Sequence, residues 1–376
     1  MSVKDIVVAA LSSLLYTSVI DLILFLIVLI ILLSDALLAN PTRRLAAHSG
    51  YERFTLGEQP SFLQQIWKCV RSSALLVSIV AFELIVAGLR RAIMGVDLTL
   101  AALIAHCVAS VLDIVWIFIL VRFVSKATLT DLGLPRQIHG WTSPRMWGAR
   151  FIIAGSIVFV TYAAMLLFYY VSDCMSNYTY MDFSSKGVVY TISYFAAQVL
   201  TLVLGAIDEE TGTRGLVHSI WLRADHAKWL MPLVSGILYA AQHALNSAHF
   251  IRGNFSDIIG ILLMIGNYVM QGVIYMLLFI TTEDIIGNYV LHFMSEQVEL
   301  WFGAAAMEAY SVPFGQLAPF AIDCNVKPIN AFVGHKFGIT GSAVYSVALM
   351  YSMLVVMLVL WGRRRKEQKR RPAQEQ

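Results

Sequence analysis

The chain has 376 residues, of which 58% are hydrophobic and only 14% charged, with a mean hydropathy of +0.70. Soluble domains carry roughly 25% charged residues, so this composition excludes an ordinary soluble domain and points to a polytopic membrane protein. A net charge of +3, without a basic face carrying interleaved aromatics, gives no sign of a nucleic-acid partner. The four cysteines (Cys69, Cys107, Cys174, Cys324) share no metal-ligand spacing such as C-x-x-C.

A membrane-spanning helix needs about 20 apolar residues. Nine stretches qualify, near 12–38, 73–92, 99–123, 150–171, 187–208, 230–250, 257–281, 284–306 and 341–362. The first is too long for a signal peptide and reads as a retained helix. The fifth can run on as helix through the polar sequence that follows it. Very few residues join the seventh to the eighth, so these two are expected to form a tight hairpin. The predicted fold is an all-α polytopic membrane protein, with about eight or nine transmembrane helices and an intramembrane polar cavity. Residues 1–149 hold N-terminal helices with cytoplasmic loops, 150–306 a membrane core, 307–340 a non-cytoplasmic loop, and 341–376 the last helix with a basic cytoplasmic tail.

Orientation follows from the placement of Lys and Arg, which favour the cytoplasmic side. Seven basic residues lie between Arg363 and Arg371, which places the C-terminus in the cytoplasm. Counting back through nine spans puts the N-terminus outside and loops 39–72, 124–149 and 209–229 inside. Those loops carry Arg43, Arg44, Arg53, Lys68, Arg71, Lys126, Arg136, Arg145, Arg214, Arg223 and Lys228, while Arg90 and Arg91 dissent. Two N-glycosylation sequons, at Asn177 and Asn254, fall in loops assigned outside. So do Cys174 and Cys324, a candidate disulfide that an oxidising compartment would preserve. The expected location is the endoplasmic reticulum or another endomembrane.

Charge within the hydrocarbon layer is costly and usually functional. Three stretches supply it: Glu209-Glu210-Thr211-Gly212-Thr213-Arg214, His243, and His292 with Glu296. Residues four apart share a helix face. Glu210 can therefore pair with Arg214, while Glu209 points about 100° away and stays available for chemistry. Tyr239 with His243 forms a second such pair. Asn288, His292 and Glu296 form a polar stripe, and Asn267 with Gln271 a weaker one. Isolated Glu83, His106 and Asp113 read as interhelical hydrogen-bonding groups, and ion pairs alone can serve helix packing. Three separate helices supplying ionisable groups favour a site.

These residues resemble the CAAX protease and bacteriocin-processing family of intramembrane proteins, which includes the Ras-converting CAAX endopeptidase. The family's Glu-Glu-x-x-x-Arg motif matches Glu209 to Arg214, followed by Gly215. Its Phe-x-x-x-His matches Tyr239 to His243, with Tyr for Phe, and its His-x-x-x-Asn or Asp matches His292 to Glu296, with Glu as the last residue. Thr213 stands where the family usually has an aromatic. The resemblance covers roughly residues 187–300, and it makes the membrane core at 150–306 CAAX-protease-like.

The resemblance implies a glutamate-dependent endopeptidase without a cofactor. Glu209 would activate water with the help of His243, Glu210 and Arg214 would position Glu209, and His292 with Glu296 would stabilise the oxyanion. The substrate would be a prenylated or otherwise membrane-tethered peptide, entering from the bilayer and cut near the cytoplasmic face. Three rival readings use the same residues. Glu209, His243, His292 and Glu296 offer zinc ligands, although no H-E-x-x-H is present. A catalytically altered member would be a membrane scaffold or complex subunit with a membrane-protein partner. A transporter would relay protons through these groups, but no repeated halves are visible.

Overall fold

The computed structural model describes residues 78, 99–120, 132–134, 144–171, 177–180, 183–219, 231–246, 258–282, 285–302, 320–323 and 343–370. The predicted span 12–38, all but Ser78 of 73–92, Cys69, Glu83, Cys174, Cys324 and Asn254 lie outside the described residues.

The elements are almost all helical. In chain order they are α1 (Thr99–Ile119), α2 (Pro144–Val171), β1 (Asn177–Tyr180), α3 (Val188–Glu210), a π-helical turn (Thr211–Leu216), α4 (Met231–Asn246), α5 (Ile258–Thr282), α6 (Ile285–Phe302), β2 (Phe320–Asp323) and α7 (Ala343–Arg370). Among the described residues, two stretches, Val188–Ser219 and Ile258–Ile280, are long and apolar enough to cross a membrane. Boundaries differ from the sequence expectation at several ends. α2 begins at Pro144, where proline's missing N–H costs a helix nothing. α7 runs on to Arg370, because Arg and Lys are good helix formers.

The bundle carries its apolar surface outward. Large apolar side chains such as Ile152, Phe159, Leu167, Val189, Ile192 and Leu262 are exposed, whereas Glu210, Arg214, Asn288, His292 and Gln198 are buried. An apolar exterior around a polar interior is the pattern that a lipid solvent selects.

α5 is central, packing against α4, α6 and α7, while α6 also packs on α2 and α3. The approach of α4 to α5 depends on two glycines. A Cβ on Gly236 would stand 2.5 Å from the Val269 carbonyl oxygen, and one on Gly272 would stand 2.7 Å from Gly236 Cα. With hydrogen atoms there, the backbones come together and bring Tyr239, one turn on, against α5. Apolar packing fills the space around α2, α5, α6 and α7, with Met165, Ile274, Leu291 and Tyr345 buried. Hydrogen bonds tie the same helices: Thr161 to Ser352 at 3.0 Å and Tyr162 to Ser295 at 3.1 Å.

Asn267 and Gln271, the weaker stripe, face α7 rather than the other polar residues. Ser346 Oγ donates to Asn267 Oδ1 at 2.6 Å, and Tyr345 OH donates to Gln271 Oε1 at 3.5 Å. Asp113 is buried in α1. One addition to the all-helical pattern is the antiparallel pairing of β1 with β2, in which Asn177 faces Asp323 and Tyr180 faces Phe320. This ribbon joins the segment after α2 to the segment before α7 at one end of the bundle.

Candidate active site

The site is built where α3 changes register. Tyr194, Gln198, Leu202, Ala206 and Glu210 are buried along one face of α3, four residues apart in line with the helix repeat. This face delivers Glu210 to the centre of the bundle. There the helix widens to a π turn whose six residues, Thr211 to Leu216, are all buried. Such turns are rare and concentrate at functional sites. Side chains from other helices satisfy the groups the turn presents. Ser235 Oγ donates to the Thr213 carbonyl at 2.8 Å, and the Thr211 and Tyr289 hydroxyls lie 2.6 Å apart.

Glu210 is the hub of the buried half. Its Oε1 lies 3.0 Å from Arg214 Nη1 and 2.7 Å from His292 Nδ1, and its Oε2 accepts from Asn288 Nδ2 at 3.1 Å. Asn288 Nδ2 also donates to the Tyr275 carbonyl at 2.9 Å, which anchors α6 to α5. A charged carboxylate only accepts, so His292 Nδ1 is the donor in its bond to Glu210.

Arg214 is fully buried, with its guanidinium carbon 4.4 Å from the ring centre of Tyr239 and 5.1 Å from that of Tyr275. Two aromatic faces and a carboxylate therefore hold a charge that would otherwise be stranded in the interior. Thr213, which stands where the family usually has an aromatic, bonds instead of stacking. Its hydroxyl donates to the Glu209 carbonyl and accepts from Arg214 Nη1.

Glu209, next along the chain, turns toward an opening. Its side chain is 23% exposed and that of Glu296 is 30%, whereas Glu210 and His292 are sealed. Glu209 Oε2 lies 3.8 Å from His243 Nε2 and 3.7 Å from His292 Nε2. His243 Nδ1 donates to the Tyr239 carbonyl at 3.0 Å, since a carbonyl can only accept. In the neutral ring this leaves Nε2 as an acceptor facing Glu209. The His243 ring is also held between Tyr239 and Tyr268, at 4.2 and 4.3 Å. His292 Nε2 approaches Glu296 Oε1 to 3.2 Å, yet makes no aligned hydrogen bond among the described residues.

The structure thus brings Glu209, Glu210, Arg214, His243, His292 and Glu296 into one cluster, with Tyr239 as its floor. Asn288 belongs to the polar stripe of the sequence, but it is not among the catalytic candidates. Tyr275 contributes without a signal of its own in the sequence. Among the described residues, Glu209, His292 and Glu296 each bring a possible ligand atom within 4.8 Å of the others. Bonds of about 2.1 Å place donors on one tetrahedral zinc roughly 3.4 Å apart. Two of the separations in the trio, 3.7 Å from Glu209 Oε2 to His292 Nε2 and 3.2 Å from His292 Nε2 to Glu296 Oε1, bracket that spacing, and His243 is not part of the trio.

Residues 191–296 match the family model of type II CAAX prenyl endopeptidase Rce1-like proteins. The matched segment begins in α3 and ends at Glu296, so it contains the whole cluster. No curated protein and no solved structure matches the chain.

Proposed function

Because residues 191–296 carry the Rce1-like CAAX prenyl endopeptidase domain, which supports membership of the CAAX protease family, we propose that this protein is an intramembrane endopeptidase that hydrolyses peptides with glutamate-activated water. The observation that carries this reading is the position of Glu209 Oε2, 3.8 Å from His243 Nε2. Two acceptors facing each other at this spacing suit a water molecule that donates a hydrogen to each. Glu209 takes one proton, and the resulting hydroxide attacks the scissile carbonyl. Neither acceptor is tied up by Arg214 among the described residues, where that cation pairs with Glu210. A buried, water-poor site strengthens every hydrogen bond to the developing oxyanion. His292 is the nearest candidate for that role, held in orientation by Glu210 at 2.7 Å. The division of labour within the motif is thus a base in Glu209 and a positioning pair in Glu210 and Arg214. The reaction calls for no metal.

The substrate class is a prenylated or otherwise membrane-tethered peptide. Support comes from the family and from the lipid-facing apolar exterior. Cleavage near the cytoplasmic face of an endomembrane, with the C-terminus cytoplasmic, follows from the Lys and Arg distribution. The ribbon of β1 with β2 supports that topology, since it joins two segments assigned to the same side.

The test is cleavage of a prenylated reporter peptide by detergent-solubilised wild type, Glu209→Gln and His243→Ala. Glu209→Gln is expected to lose about 10²–10⁴-fold in kcat with an unchanged gel-filtration profile, and chelator is expected to have no effect. Turnover unaffected by Glu209→Gln would sink the assignment. A second reading, a scaffold or complex subunit, draws on Glu296 in place of the family's Asn or Asp. It predicts no cleavage by the wild type and partner binding that survives Glu209→Gln.

A further inference from the structure

His292 Nε2 sits between two carboxylates on the open side of the site, 3.7 Å from Glu209 Oε2 and 3.2 Å from Glu296 Oε1. Its other nitrogen is committed to Glu210. Building on the endopeptidase reading, we infer that Glu296 is the acid that protonates the leaving amine, and that His292 Nε2 returns the proton to it from Glu209.

The residue type carries the first part. An asparagine at this position can donate a hydrogen bond but cannot release a proton, whereas a glutamic acid can do both. Amide hydrolysis needs both a base for the water and an acid for the departing nitrogen. Paired carboxyl groups in different surroundings are a recurrent way to supply the two. Here the surroundings do differ. Glu209 grows from the buried end of α3, bonded through its carbonyl to Thr213, and faces His243. Glu296 lies one turn beyond His292 on α6 and is the more exposed of the two.

The relay follows from the geometry of one atom. Both carboxylates approach the same nitrogen, and that nitrogen makes no aligned bond among the described residues that would hold its proton elsewhere. The balance closes in one cycle. Water gives a proton to Glu209 and its oxygen bonds to the carbonyl carbon. The C–N bond of the tetrahedral intermediate then breaks as Glu296 gives its proton to the amine nitrogen. The proton held by Glu209 crosses His292 Nε2 to Glu296, and both glutamates regain their starting forms. Nothing is oxidised or reduced.

Leaving-group chemistry tests this step apart from the parent reading. A peptide amine must be protonated to depart, whereas an alkoxide or thiolate departs far more readily without an acid. Full-length wild type, Glu296→Gln and Glu209→Gln would be assayed on a prenylated peptide and on the same peptide with its scissile amide replaced by an ester. Glu296→Gln is expected to lose at least about 10²-fold in kcat on the amide with KM nearly unchanged, and to stay within about tenfold of wild type on the ester. Glu209→Gln is expected to fail on both. Amide cleavage by Glu296→Gln at or above the wild-type rate overturns the inference, as does an equal loss on amide and ester. Ester cleavage retained by Glu209→Gln, or a wild type that cleaves neither substrate, overturns the endopeptidase reading and this step with it.

Discussion

Arg214 Nη1 lies 3.0 Å from Glu210 Oε1, and neither side chain has any exposed surface. The cation is further enclosed by the faces of Tyr239 and Tyr275. Removing one partner of such a pair leaves an uncompensated charge in the interior, at a cost of about 3–5 kcal/mol. Arg214→Met is therefore expected to lower the thermal unfolding midpoint in detergent sharply and to shift the protein toward aggregate on gel filtration. Adding Glu210→Gln removes the stranded charge but keeps a carbonyl oxygen for Asn288, so the double variant is expected to regain most of the lost stability. Equal midpoints for the single and double variants would show that charge burial is not what Arg214 relieves.

Tyr239 separates ring chemistry from hydroxyl chemistry. Its face meets Arg214, its ring packs at a tilt on His243, and its carbonyl fixes His243 Nδ1. None of these contacts uses the phenol oxygen, and the family motif carries Phe there. Tyr239→Phe is expected to keep kcat within about threefold of wild type, whereas Tyr239→Leu loses a cation–π contact worth about 2 kcal/mol when desolvated and lets the His243 ring drift. Loss of cleavage in Tyr239→Phe would assign the hydroxyl a role.

Helical periodicity makes much of this site legible in the sequence. Glu210 with Arg214, Tyr239 with His243, and Asn288 with His292 are spaced by four, and each pair does meet or share a partner. Spacing along one helix says nothing about which neighbour a face meets. Asn267 and Gln271 have the same spacing as the Asn288, His292 and Glu296 stripe yet face α7, because that helix covers their side of α5. The π turn is hidden for a related reason. Thr211 to Leu216 holds two glycines and two threonines, which weaken a helix without specifying a wider turn, and that turn is held by Ser235 and Tyr289, which come from other helices. Tyr275 likewise reads as one aromatic among many in an apolar run, and only the fold sets it against Arg214.

The glycine contact between α4 and α5 predicts an effect at a distance from the chemistry. A methyl group at Gly236 would press on the Val269 carbonyl, and one at Gly272 on Gly236 itself. Backbone cannot swing aside as a side chain can, so the two helices must separate. Overpacking of this kind costs about 1–3 kcal/mol. Since His243 rides on α4 and Tyr275 on α5, Gly236→Ala is expected to reduce kcat together with the unfolding midpoint. Gly266→Ala, where no atom lies within 4 Å of the new methyl, provides the control on the same helix as Gly272. An active, fully stable Gly236→Ala protein would mean that the α4–α5 approach does not set the site.

The β1–β2 ribbon turns a sequence-level expectation into a measurable one. Asn177 and Asp323 are partners across the ribbon. In the sequence Cys174 precedes Asn177 by three residues and Cys324 directly follows Asp323, so each cysteine is within three positions of the paired register. If both segments face an oxidising lumen, the two thiols are within reach of the compartment's disulfide donors. Microsomal protein run without reductant is then expected to migrate faster than reduced protein, and Cys174→Ser and Cys324→Ser are each expected to abolish the difference. The same topology exposes Asn177 to the glycosylation machinery, so glycosidase treatment is expected to remove mass that Asn177→Gln lacks. The two readouts report on one geometric claim by separate chemistries. Free thiols at both positions, in a protein also unmodified at Asn177, would place this end of the bundle in the cytoplasm and invert the proposed orientation.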